Sequence, residues 1–187
     1  MAHQCFTPCL VRLLALILFS LPMTSSYGET LTKAFSVKAT VLPGCILGSG
    51  TADSTSFGTL NFGNISSLSA PVNVVSSQNA GSIIIQCSGT PSITLALDSG
   101  INTAGTISTG RRLLNSLTGE YLFYQIFQDS AHSIIWGNGS NGGTTKVVNV
   151  SSNTSPLEII LYAQLFASST LPTAGTYTDT VLVTATY

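Results

Sequence analysis

A Ser-His-Asp hydrolase needs a base beside a nucleophile and a carboxylate that orients the base. Past the first few residues the chain offers one histidine, His132, with Asp129 three positions before it and many serines. No G-x-S-x-G elbow is present, and "DSAHS" reads as a turn, so His132 is taken as an exposed loop histidine. The acidic residues are scattered, so no acid–base pair stands out for glycosidic chemistry. "GNGSNG", residues 137–142, matches G-x-G-x-x-G and follows the strand-like "SIIW". A dinucleotide site needs a helix after the glycines to hold the pyrophosphate. Here Gly-Thr-Thr-Lys-Val-Val follows, so the stretch is read as a Gly/Asn hairpin loop. Arg111-Arg112, the sole basic pair, reads as a solvated loop feature. Sequons at Asn64, Asn138, Asn149 and Asn153 are what a chain rich in Asn, Ser and Thr yields by coincidence. No catalytic, cofactor-binding or metal-ligating residue is nominated, and the chain reads as a non-enzyme.

Residues 1–28 have the form of a secretory signal. Arg12 and the amino terminus precede an apolar run at 13–23, too short to span a bilayer comfortably, with small residues at Ser26 and Gly28. Cleavage before Glu29 removes Cys5 and Cys9 and leaves no segment for membrane insertion. The processed chain keeps five basic and seven acidic residues, a net charge of −2. That balance does not suit nucleic acid, which calls for a basic patch. Charged residues are 7% of the chain, well below the roughly 25% of an average domain, so Ser, Thr, Asn and Gly must cover the surface. Two cysteines remain, Cys45 and Cys87. In an exported chain an even count invites one disulfide, closing a loop of about 43 residues; two buried free thiols are the alternative. A structural zinc site needs four ligands, more than two cysteines and one histidine supply.

The elements that must position these residues read as strands. Alternation is strict over 35–41 (FSVKATV), with Phe35, Val37, Ala39 and Val41 on one side. Further strand-like runs lie at 57–62, 72–75, 82–87, 92–98, 121–127, 133–136 and 144–150. Residues 157–166 (LEIILYAQLF) have helix-forming composition, but the Pro156 entry and the neighbouring strands favour a buried strand. The chain closes on "GTYTDTVLVTATY". Tyr177, Val181, Val183, Ala185 and Tyr187 alternate with outward threonines, and Asp179 is the one polar entry in the inward row. A run this regular is expected to lie inside a sheet. Many short strands between Gly, Asn, Ser and Pro turns point to one all-β sandwich or barrel domain.

These residues also line up with a family. An alternating strand precedes "PGC", followed by "FGTLNFG" and a strand ending in the second cysteine. Then come "RRLLNSLTGEYLFYQIFQD", "IIWGNG" and the closing G-x-Y-x-D-x-V pattern. From about residue 35 to 187 the chain resembles the spore coat protein U family, whose members include Csu-type subunits of archaic chaperone–usher pili. The resemblance implies an immunoglobulin-like, pilin-type β-sandwich that lacks its final strand. Residues 29–43 would be an N-terminal extension and 44–187 the sandwich domain.

It further implies a groove beside the last strand, walled by Tyr177, Val181, Val183, Ala185 and Tyr187. A periplasmic chaperone fills this groove first; a neighbouring subunit's leading segment then replaces it at the outer-membrane usher. By analogy Phe35, Val37, Ala39 and Val41 are the donor plugs. An ordinary first strand paired within its own chain, or a segment doing both, fits the same alternation. The function implied is a structural subunit of a surface pilus supporting adhesion and biofilm formation. A spore-coat or matrix protein and an adhesive tip module are the alternatives.

Overall fold

Ten strands and no helix are found among the described residues. They are β1 (Cys45–Leu47), β2 (Val72–Val75), β3 (Ile83–Cys87), β4 (Ser92–Leu97), β5 (Arg111–Leu114), β6 (Tyr121–Phe127), β7 (Lys146–Asn149), β8 (Leu157–Ile159), β9 (Tyr162–Leu165) and β10 (Val183–Thr186). The computed structural model describes residues 28–42, 44–48, 53–54, 56–150 and 155–187. The signal segment read over 1–28 lies outside them apart from Gly28, as do Pro43 and Asn153. The chain divides into a unit ending at Thr40 and a unit spanning Val41–Tyr187.

All ladders are antiparallel, in the orders β1-β3-β8, β2-β9-β6-β5 and β10-β4-β7. Register shows that the first two sheets form one surface. Val72 lies opposite Leu165 and Val75 opposite Tyr162; Ile83 then faces Ile159 and Ile85 faces Leu157. β2 and β3 are therefore two halves of one strand, and β8 and β9 two halves of its partner. Between the halves, the partner strand sets only Ile160 and Leu161 against residues 76–82, a large bulge. Ser76 stitches it. Its N–H donates to Leu161 O at 2.9 Å, and its hydroxyl accepts from Leu161 N at 2.7 Å and meets Ser82 Oγ at 2.9 Å. Both serines are buried, and each buried hydroxyl thus has a partner.

The core lies between this surface and the β10-β4-β7 sheet. Ile83, Ile85, Ile159, Ala163 and Leu165 come from one layer, and Ile93, Leu95 and Leu97 from the other. Strict alternation in β4 places those last three inward with almost no exposure. The fold is an all-β sandwich, as the run pattern predicts, and 157–166 is strand rather than helix.

Several expectations need correcting. Arg111-Arg112 is not a solvated loop: it opens β5, where alternation sends Arg111 into the interior with no exposure. Arg112 is half-buried on the opposite face, over the rings of Tyr121 and Phe123 at 5.5 and 5.7 Å. Residues 35–41, expected to pair within the chain or to be donated to a neighbour, hold no strand in this single chain, so pairing within it is not seen. "GNGSNG" is a loop but not a hairpin, because its ends meet through a parallel bridge, Trp136 to Thr144. Residues 57–62 and 133–136 contribute only isolated bridges. His132 is half-buried rather than exposed, edge-on to Phe127 at 5.1 Å with φ 55°. Asp129 is taken up by its own turn, accepting from Ser133 N, Ser133 Oγ and Ile134 N. Those hydrogen bonds hold its pKa below the ordinary carboxylate value.

Candidate functional site

Among the described residues of the Val41–Tyr187 unit, the closing run uses one backbone edge and leaves the other open. Thr178 exchanges hydrogen bonds with Leu114 at 2.8 and 3.0 Å. Thr180 O then accepts from Ile101 N and Leu182 O from Asp98 N, both at 3.1 Å, while Leu182 N donates to Asp98 Oδ1 at 3.0 Å. β10 continues on β4, from Val183 opposite Leu97 to Thr186 opposite Thr94. The even-numbered residues thus turn their N–H and C=O toward β5 and then β4. In an antiparallel ladder the odd-numbered ones point the other way. Among the described residues of the Val41–Tyr187 unit, the backbone groups of Val181, Val183 and Ala185 have no partner on that side. The run expected inside a sheet therefore sits at its margin, with β4 as β10's one neighbour among the described strands.

Side chains follow the expected alternation. Tyr177, Asp179, Val181, Val183 and Ala185 are half-buried, and the residues between them are exposed. Val181, Val183 and Ala185 lie against the core without being covered. Tyr187 departs from the row and is 61% exposed. In the leading segment Phe35, Val37 and Val41 are 85–86% exposed, and Ala39 is exposed as well. Cys45 and Cys87 form a disulfide between directly opposed positions of β1 and β3.

A polar cluster anchors the base of the run. Asp179 Oδ2 accepts from Tyr124 Oη at 2.8 Å, and Oδ1 accepts from Asn102 Nδ2 at 3.0 Å. Burial raises the Asp179 pKa, opposed by those donors and by neighbouring backbone N–H groups. Burial also raises the Tyr124 pKa, with Asp179 adding to it. Arg111, whose pKa burial lowers, gives its hydrogen bonds to neutral oxygens: Asp98 O, Trp136 O and Gln125 Oε1. On the approach to the run, Glu120 Oε2 accepts from Thr173 N at 2.9 Å and lies 2.8 Å from Tyr177 Oη. Gly175 packs so close to Asn115 that a Cβ there would meet its amide.

Sequence reasoning found the run and the disulfide but missed Arg111, Asp98, Tyr124 and Asn102. One signal was available: an aspartate in an otherwise apolar inward row requires buried donors. Among the described residues no group of His, Cys, Asp or Glu could hold a metal ion, and no helix is long and apolar enough to cross a membrane. The site offers an open strand edge over half-covered apolar side chains, an arrangement suited to receiving an extended segment.

Comparison with known proteins gives four further findings. The chain is 30% identical to Protein U of Myxococcus xanthus over 166 residues, covering 84% of this chain and 86% of that protein. It is similar to the crystal structure of the CsuC-CsuE chaperone-tip adhesion subunit pre-assembly complex from archaic chaperone-usher Csu pili of Acinetobacter baumannii. There the identity is 25% and the TM-score 0.43, over 79% of this chain and only 40% of the matched chain's length. A chaperone-tip adhesin complex of CFA/I fimbriae biogenesis is matched at 16% identity and TM-score 0.37, over 63% and 35% of the two chains. The model of the Spore Coat Protein U domain matches residues 31–184, most of the chain, and the chain belongs to that family.

Proposed function

We propose that this chain is a structural subunit of a surface fibre, built by the chaperone–usher route through donor-strand complementation. The observation that carries the reading is the open edge of the last run, with Val181, Val183 and Ala185 half-buried beneath it. Unpaired N–H and C=O groups beside apolar side chains invite aggregation unless another strand covers them. Phe35, Val37, Ala39 and Val41 supply a matching apolar row on a segment with no strand of its own. Burying Phe35, Val37 and Val41 contributes about 1.5–3 kcal/mol each before ordering costs. One head-to-tail contact repeated without closure yields a filament.

In this reading 1–28 is a cleaved signal, 29–43 the donor extension and 44–187 an immunoglobulin-like, pilin-type sandwich. The partners are a periplasmic chaperone, an outer-membrane usher and neighbouring subunits. The product is a pilus at the cell surface that serves adhesion and biofilm formation, and the chain does no chemistry. A spore-coat or matrix role is the second reading, favoured by the family to which the chain belongs.

Phe35→Asp with Val37→Asp tests the proposal. The variant should be exported and stay folded yet fail to enter fibres seen by electron microscopy. Normal polymers from it would refute the donor role, and ordered coat layers in place of filaments would favour the second reading.

A further inference from the structure

The closing run nearly repeats itself on a two-residue shift. Val181 and Val183 are alike on the inward side, and Thr184 and Thr186 on the outward side. A shift by two keeps every side chain on its own face, so the hydrophobic pattern alone resists it weakly. Asp179 breaks the degeneracy. Its hydrogen bonds with Tyr124 Oη and with Asn102 Nδ2 and N are made at one point along the path. Gly100 also approaches so closely that a Cβ there would meet the carboxylate. A shift by two would carry the charge away from all of these and set Val181 or Tyr177 against them.

We propose that Asp179 is a positioning residue that fixes the register of the last strand, and so decides which inward side chains stand along its open edge. Single buried polar groups set register in other packed assemblies while lowering stability. The raised pKa of Asp179 fits this pattern, since ionised Asp179 opposes folding. Only the consequence for strand addition rests on the proposed function; the register is a property of the isolated chain.

Two cysteine pairs in the processed chain, probed with a short bifunctional thiol reagent, report that register. The first is Ala96→Cys with Thr184→Cys, which face each other in the ladder; the second is Ala96→Cys with Thr186→Cys. In the parent background the first pair should link and the second should not. Adding Asp179→Val and Tyr124→Phe, which removes the carboxylate and the hydroxyl it satisfies, should let both pairs link to comparable extents. Asp179→Val with Val181→Asp moves the carboxylate two places along. The second pair should then link in preference, because the carboxylate returns to Tyr124 and Asn102. Linking of the first pair alone in both backgrounds overturns the proposal. So does failure of both backgrounds to unfold cooperatively, since that would make Asp179 a requirement for folding. A shifted register in a variant that still accepts the parent donor segment with unchanged affinity leaves the register assignment standing and counts against the proposed function.

Discussion

Arg111 Nε and Nη2 both donate to the carbonyl oxygen of Asp98, at 3.2 and 2.7 Å. The same aspartate holds Leu182 through its own N–H and Oδ1. A buried cation on β5 thereby steadies the residue that grips the closing run. Arg111→Ala strands the carbonyls of Asp98 and Trp136 without their donors, while Gln125 Oε1 keeps the Ile126 N–H. Each unsatisfied group costs about 1–3 kcal/mol, so urea unfolding should show a loss of at least about 2 kcal/mol. Arg111→Lys should recover only part of it, because an ammonium cannot reproduce the planar fork. Arg112→Ala, one position away and lying over two aromatic rings at the surface, should cost only about 0.5–1 kcal/mol.

Ser76→Ala removes the hydroxyl that accepts from Leu161 N and meets Ser82 Oγ inside the bulge. Because the site is buried, the loss should be about 1–3 kcal/mol. Ser77→Ala, exposed in the same turn, is the control. Hydrogen exchange should localise the weakening at Leu161, where the β8 and β9 halves join.

The Cys45–Cys87 bridge spans a sequence separation of 42. The chain-entropy relation gives about 4 kcal/mol for such a loop. Reductant should therefore lower the urea-unfolding free energy of the parent by an amount of that order and leave that of Cys45→Ala with Cys87→Ala unchanged. An equal response in both would argue against the bridge.

Stability should depend on pH in two opposing ways. Asp179 has a folded-state pKa above its ordinary value of 3.8, so the folded chain takes up this proton more readily than the unfolded chain. Its contribution favours folding when protonated and is lost as pH rises through the raised pKa. Glu120 and Asp129 are shifted down by hydrogen bonds they accept, and theirs is lost as pH falls through the lowered values. Denaturation followed from pH 7 downward should show Asp179→Asn flattening the gain above pH 3.8. Asp129→Asn should weaken the acid-side decline.

Much of this fold could be read directly from alternation. Residues 121–127 form a strand at their expected bounds, 157–166 are strand, and Cys45 pairs with Cys87. The misses share a physical cause. Arg111 looked like a surface charge because its acceptors lie 13, 14 and 25 positions away and two are backbone carbonyls, invisible to any side-chain pattern. The runs at 72–75 and 82–87 were read as separate strands, and that they are halves of one went unseen because it depends on the partner strand, not on local propensity. Asp179 was visible as an intruder in an apolar row, but Tyr124, 55 residues away, could not be named as its donor. Residues 35–41 show the converse: a strand-like period describes what a segment can pair with, not that it has paired.

The position of the disulfide has a mechanical consequence. Cys45 is the first residue of β1 and is bonded to Cys87, which lies directly across from it at the end of β3. Tension applied through residues ahead of Cys45 therefore passes covalently into β3 and bypasses the three-residue ladder of β1. That short strand would otherwise be the first to peel, and the bridge turns it from the weakest link under load into a passenger.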